Sequence, residues 1–153
     1  MAKGKIVKLV GFTMPARQGQ LASVSALLSG EGLSIEAFSA TDTGSSTEYL
    51  VAAGSTAKTR KALAPLNVET REVEALRVDM PDKVGRLHRI TEKIAAAGIN
   101  IKASWATCGS GKTASALFLT ADNAGALAAL ERKNKKEKTA KPKKKESAQA
   151  KQA

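Results

Sequence analysis

The chain has 153 residues, and 42% of them are hydrophobic, which is enough to build a folded core. Its single cysteine, Cys108, excludes an intramolecular disulfide framework and favours a reducing, cytosolic location. Residues 132–153 hold ten Lys and Arg against two Glu, so the tail carries most of the net charge of +11. Since no stretch of about 18 apolar residues is present, we expect no membrane-spanning segment and no membrane partner.

An ungapped internal repeat at an offset of 66 residues defines the predicted architecture. The matched positions are glycines and apolar residues rather than surface residues, which indicates a shared backbone path. They are Pro15 and Pro81, Gly19 and Gly85, Leu21 and Leu87, Val24 and Ile90, Leu28 and Ile94, Gly32 and Gly98, Leu33 and Ile99, Ile35 and Ile101, and Thr47 and Thr113. We therefore expect two similar units, residues 4–71 and residues 72–131.

Each unit is predicted to contain a strand, a helix, a strand, a hairpin, a strand and a helix. Apolar residues at steps of three and four predict the first helix, and alternation with period two predicts the second strand. In the first unit the predicted segments are a first strand at 5–12, a helix that ends at Gly32, a second strand at 33–40, a third strand near 47–53 and an alanine-rich helix near 56–66. In the second unit the corresponding segments are a strand at 73–78, a helix that ends at Gly98, strands at 99–106 and near 115–121, and an alanine-rich helix near 123–131. This order is the start of a ferredoxin-like βαββαβ unit.

The two units are predicted to differ at the fourth strand. Residues 68–70 can supply it in the first unit, whereas the sequence after Glu131 contains no Val, Ile, Leu or aromatic residue. We therefore predict a disordered lysine-rich tail over residues 132–153 and a second unit without its last strand. The fold class is α+β, with two ferredoxin-like units in tandem. The missing strand leaves a sheet edge that is open or covered by a partner, and such an edge predicts a homodimer or a larger homo-oligomer.

The loop between the first strand and the helix of the second unit is the best candidate for a binding site. The helix start near Gly85 offers unpaired backbone N–H groups and a positive dipole end, where a carboxylate could dock. Asp82 could accept a hydrogen bond from an ammonium group, so the loop complements both ends of an amino acid. Alternatively, Asp82 is a helix cap and Gly85 a tight-turn residue. The local sequence leaves both roles open.

No other residues form a convincing reactive site. Residues 106–113, ATCGSGKT, fit a relaxed P-loop pattern, but Thr113 leads into a predicted strand where a P-loop requires a helix. His88 and Cys108 are expected at the surface, and Trp105 is expected to pack on a sheet face or an interface. Because no nucleophile, base and orienting group occur together, we predict no catalytic residue, no metal site, no cofactor and no enzymatic activity.

Residues 81–101, PDKVGRLHRITEKIAAAGINI, resemble an ACT domain. The usual pattern of that family is an acidic residue, a Pro-Gly pair, a helix with Leu and Ile on one face, and a Gly-Ile-Asn-Ile exit into the second strand. The resemblance covers both repeats, over residues 4–131. It implies an ACT-type fold that binds amino acids or other small molecules at interfaces between paired domains.

When the family pattern is matched to this sequence position by position, the resemblance implies a ligand loop in the second unit. Its members are Asp82, Val84, Gly85, Arg86 and Leu87, with Asn100 at the start of the facing strand. Val84 stands where the family usually has proline. The first unit retains Gly19 and Leu21, but Ala16 replaces the acidic residue and Gln18 the proline. The second unit is therefore the better ligand site.

The leading functional hypothesis is an amino-acid-sensing regulatory protein that acts on a separate, unidentified protein partner of metabolism. The alternative is a nucleic-acid-associated protein that binds weakly through its basic tail, since lysines release counterions from a polyanion. A third hypothesis is a structural dimerisation module that has lost its ligand.

Overall fold

The computed structural model describes residues 2–108 and 111–132. In chain order its elements are β1 (Lys3–Pro15), α1 (Gln20–Gly30), β2 (Ile35–Asp42), β3 (Ser46–Ala53), α2 (Thr56–Leu63), a 3-10 helix (Ala64–Leu66), β4 (Arg71–Pro81), α3 (Arg86–Ala96), β5 (Ile101–Cys108), β6 (Thr113–Thr120) and α4 (Asn123–Glu131). The predicted α+β class is confirmed. None of the described helices is both long and apolar enough to cross a membrane. The disorder and nucleic-acid binding of residues 132–153 remain predictions, because all but Arg132 lie outside the described residues.

One antiparallel sheet, of order β2-β3-β1-β4-β6-β5, joins the two units. The first strands of the two units, β1 and β4, pair at its centre, from Lys3 opposite Asp79 to Gly11 opposite Arg71. Each unit therefore uses the first strand of the other unit as its own fourth strand. The consequence is that the tandem units share one sheet instead of forming two separate ones.

Two expectations about the fourth strands are wrong for this reason. Residues 68–70 have no regular secondary structure, because β4 takes the place beside β1 that they were predicted to fill. In the second unit the position of the missing strand is filled by β1 of the first unit, so no edge is left open there. The free edges of the sheet are β2 and β5, which lie at its two ends.

The structure preserves the repeat with one change of offset. The helices α1 and α3 and the strands β2 and β5 differ by 66 residues, and both second strands have a bulge after their first residue. The third strands differ by 67, since Pro15 lies opposite Ser46 and Pro81 lies opposite Thr113. The predicted match of Thr47 with Thr113 is wrong by one position, because the second hairpin contains one residue more than the first.

All four helices cover one face of the sheet. The cluster under α1 and α2 contains Val10, Phe12, Val24, Leu28, Tyr49, Val51, Ala53, Ala62 and Leu63. The cluster under α3 and α4 contains Leu76, Val78, Met80, Ile90, Ile94, Ala116, Phe118 and Ala126. Ile6 packs on the second cluster, and Val10 belongs to the first. Because these two residues of β1 are four positions apart, their side chains point to the same face, so the two clusters share one face of the sheet.

The opposite face carries a third apolar cluster, and no described helix covers it. Leu9, Ala75 and Leu117 are buried there, and Trp105 packs against them. Trp105 therefore packs on a sheet face, which is one of the two positions predicted for it. The Glu36 carboxylate of β2 lies 3.7 Å from the Arg77 guanidinium of β4. The edge strands β2 and β5 also line one common cavity, although in a flat sheet strands five positions apart would be roughly 24 Å apart. The sheet therefore curls, and its helix-free face is concave.

Candidate functional site

The predicted ligand loop lies at one end of the sheet, between β4 and α3. The Asp82 backbone N–H donates a hydrogen bond to the Lys112 carbonyl at 2.8 Å, which ties the loop to the β5–β6 hairpin. Gly85 precedes α3 with a φ of 80°, in the left-handed region that favours glycine. The loop of the first unit has the same tie, from the Ala16 N–H to the Ser45 carbonyl at 3.2 Å. The two loops are therefore built alike and differ in their side chains.

The structure excludes the helix-cap role among the two roles left open for Asp82. The N-cap of α3 is Gly85, and no side chain caps this helix. Asp82 is exposed, and no hydrogen bond or ion pair is found between its carboxylate and another described residue. Asp82 is therefore not the cap of α3, and its carboxylate is exposed without a partner among the described residues.

An open depression of about 670 Å³ lies beside Asp82. Its walls bring Asp79 and Asp82 together with Lys3, Lys83 and Lys112. The lysines supply the positive charge that a carboxylate requires, and an aspartate is the natural partner of an ammonium group. The sequence alone does not group these lysines, because they come from three separate segments, namely β1, the loop and the β5–β6 hairpin. The pairing of the start of β1 with the end of β4, if it were known, would place Lys3 beside this loop.

The other loop residues implied by the family resemblance do not all face this depression. Val84 is fully exposed, Leu87 is 45% exposed on the first turn of α3, and Arg86 is half-buried at its first position. Gly19 and Leu21 lie near the start of α1, at the opposite end of the sheet, because β1 and β4 run antiparallel. The chain thus presents two separate loops rather than one combined site.

Asn100 does not lie near the Asp82 loop. It precedes β5, and β5 runs parallel to β4 because both strands pair antiparallel with β6. Its carbonyl accepts a hydrogen bond from the Ala121 N–H at 2.9 Å, at the far end of these strands. The length of β5, about 24 Å, separates the two ends. The predicted convergence of Asp82, Gly85 and Asn100 within one chain is therefore wrong, since strand direction decides which loops meet.

The remaining reactive residues occupy surface positions. The His88 side chain is 76% exposed, and Cys108 is an exposed free thiol. Thr113 begins β6 and not a helix, so the segment that resembles a P-loop lacks the helix that would bind phosphate. Gly109 and Ser110 of that segment lie outside the described residues. In the described part of the chain, no three His, Cys, Asp or Glu side chains are grouped to hold a metal ion.

The sequence matches no protein-family model, and no curated protein matches it significantly. Among solved structures, protein BT0572 from Bacteroides thetaiotaomicron is similar with a TM-score of 0.75 and 15% identity, over 83% of this chain and 88% of that chain. The ligand-free regulatory subunit of aspartate kinase from Thermus thermophilus has a TM-score of 0.59 and 17% identity, over 83% of this chain and 91% of that chain. The aspartate kinase of Clostridium acetobutylicum, an allosteric enzyme, has a TM-score of 0.52 and 14% identity, over 84% of this chain and 32% of that chain. At these identities the likeness shows the fold, which is that of ACT-domain proteins, as the resemblance implied.

Proposed function

We propose that this chain is a regulatory protein that binds an amino acid in the depression before α3 and acts on a separate metabolic enzyme or regulator. The observation that carries the proposal is an aspartate with no partner in the described chain, beside three lysines, in a loop of the ACT-type fold. The ammonium group of the ligand pairs with Asp82 and its carboxylate pairs with the lysines. One similar structure is the regulatory subunit of an aspartate kinase, which supports a regulatory role.

Asp79, the other acid of the depression, is already engaged within the chain. Its carboxylate accepts hydrogen bonds from the Ser115 hydroxyl at 2.5 Å and from the Arg77 Nε at 3.0 Å. Partial burial acts to raise the pKa of Asp79, but the bonds from Ser115 and Arg77 and the charge of Lys5 outweigh it and lower that pKa. Asp79 therefore remains ionised and internally paired, which leaves Asp82 as the acid that meets the ligand.

A thermal-shift screen of the full chain against the twenty amino acids tests the proposal directly. A ligand that binds only the native state raises the melting temperature by mass action. We expect at least one amino acid to raise it at millimolar concentration. If none does, the chain is not an amino-acid sensor, and the structural dimerisation hypothesis takes its place.

Replacing Asp82 with asparagine is expected to weaken binding of the amino acid selected by that screen by about 1.5–3 kcal/mol, because a charged hydrogen bond is lost while the shape is kept. The melting temperature of the free protein should stay unchanged, since Asp82 caps no helix. Calorimetric titration measures the affinity.

The matched control for this variant is Asp122→Asn. Asp122 caps α4 by accepting a hydrogen bond from the Gly125 N–H at 2.9 Å. Because asparagine caps a helix about as well as aspartate, this control should leave both stability and ligand affinity unchanged. A wild-type affinity in the Asp82→Asn variant would place the site elsewhere.

We also propose that the chain forms a homodimer or a larger homo-oligomer. The edge strands β2 and β5 present unpaired backbone groups, and Leu21 and Leu87 are about half exposed near the starts of α1 and α3. Light scattering at high micromolar concentration is expected to give at least twice the chain mass of 15.9 kDa. A monomer under those conditions would contradict the proposal.

A further inference from the structure

The concave face of the sheet contains a second, partly open cavity of about 130 Å³. Its floor consists of Leu9, Leu50 and Leu117, which are 1%, 7% and 8% exposed. Trp105 of β5 lines one side, and Ala37 of β2 lines the other. Because β2 and β5 are the two edges of the sheet, both units contribute walls to this cavity.

A difference between the two repeats creates the open space. Trp105 and Ser39 occupy equivalent positions, opposite Leu117 on β6 and Leu50 on β3 respectively. The large indole fills its side of the concave face, whereas the small serine leaves the other side unfilled. The result is a slot between an aromatic wall and a wall of small residues.

Arg77 provides the hydrogen-bonding group of the cavity. Its Nε donates to Asp79 at 3.0 Å, whereas Glu36 lies 3.7 Å from its Nη1, which is too long for a hydrogen bond. A guanidinium has five N–H donors, so Arg77 retains donors for a ligand. Its charge is balanced locally, since Asp79 and Glu36 offset Arg77 and the neighbouring Lys5, its cross-strand partner. This charge balance favours an uncharged ligand. A charged ligand would lose its hydration on entering the cavity, and the described residues of the cavity offer no unpaired opposite charge to compensate for that loss.

The small volume of the cavity selects a small molecule as its occupant. A space of about 130 Å³ is too small for a folded protein surface to enter. Apolar protein cavities of roughly 150 Å³ accept a benzene-sized ring. The cavity therefore matches one substituted aromatic ring.

We propose that this cavity binds a small, uncharged aromatic molecule with one hydrogen-bond acceptor, with its ring between Trp105 and Ala37 and its acceptor at the Arg77 guanidinium. The site is distinct from the depression at Asp82 and does not rest on the amino-acid proposal. Since its walls come from both edge strands, a bound molecule would contact the first unit and the second unit at the same time.

Trp105 is the only tryptophan of the chain, so its fluorescence reports on the cavity directly. We would titrate the full chain with benzamide, an uncharged aromatic amide, and with benzoate, which has the same ring and a negative charge. Benzamide is expected to change the emission saturably, with at least tenfold tighter apparent affinity than benzoate. A linear response to benzamide, or equal affinity for benzoate, would overturn the proposal.

Filling the slot from β2 tests its position. Ser39→Leu should weaken benzamide binding at least tenfold, while Ser104→Leu, a matched change on β5 outside the cavity lining, should leave it unchanged. Ala37→Val provides a smaller filling variant if Ser39→Leu does not fold. Wild-type affinity in a folded filling variant places the probe elsewhere and overturns the assignment. Asp82→Asn should not alter the benzamide response, which separates this test from that of the amino-acid site.

Discussion

Replacing Phe12 with alanine is expected to destabilise the whole chain by about 3–5 kcal/mol. Phe12 is fully buried in the core of the first unit, and its ring stacks on Tyr49 with a centroid distance of 4.9 Å. The strand that carries it, β1, also pairs with β4 along the centre of the shared sheet. Loss of packing in the first unit should therefore lower the stability of the second unit as well.

Chemical denaturation with two probes measures this coupling. Trp105 fluorescence reports on the second unit, and far-ultraviolet circular dichroism reports on all the helices and strands. We expect both midpoints to fall together in a single transition. The control Phe118→Ala, in the core under α3 and α4, should have the same effect. If Phe12→Ala leaves the Trp105 midpoint unchanged, the two units unfold independently.

Local sequence patterns predicted most of the elements, because their signals lie within a few residues of each other. Ile90 and Ile94 are buried as a helical period requires, although Leu87 one turn earlier is 45% exposed, and α4 has the predicted limits, 123–131. The alternative in which Gly85 is a tight-turn residue agrees with its φ of 80°. These features depend on propensity and periodicity alone.

The pairing of strands was not predictable in the same way. Residues 68–70 are as suited to a strand as many edge segments, but β4 competes for the same place beside β1 with a much longer hydrogen-bonded register. The position of Asn100 relative to Asp82 depends on the direction of β5, which no local motif encodes. The lysine group around Asp82 and the curled sheet around Trp105 likewise arise from contacts between distant segments.

Replacing Gly85 with valine is expected to abolish binding of the amino acid selected by the thermal screen and to lower stability by about 1–3 kcal/mol. The φ of 80° is a conformation that a β-branched residue rarely adopts. Apart from Gly85 and its two chain neighbours, no described residue has an atom within 4 Å of the position that a Cβ would take at Gly85, so the loss is not caused by a clash within the described chain. It comes from strain that moves the loop carrying Asp82 and from a side chain that enters the space beside that loop.

Two matched variants separate these causes when melting temperature and calorimetric affinity are measured together. Gly19→Val imposes the same strain at a φ of 79°, also in open space, but in the loop at the opposite end of the sheet. It should lower stability equally and leave the affinity intact. Gly85→Asn keeps the left-handed conformation accessible and adds a side chain. A loss of affinity in this variant would therefore show that the ligand comes close to the backbone at Gly85. If Gly85→Val binds the amino acid as tightly as the wild type does, the start of α3 takes no part in ligand recognition.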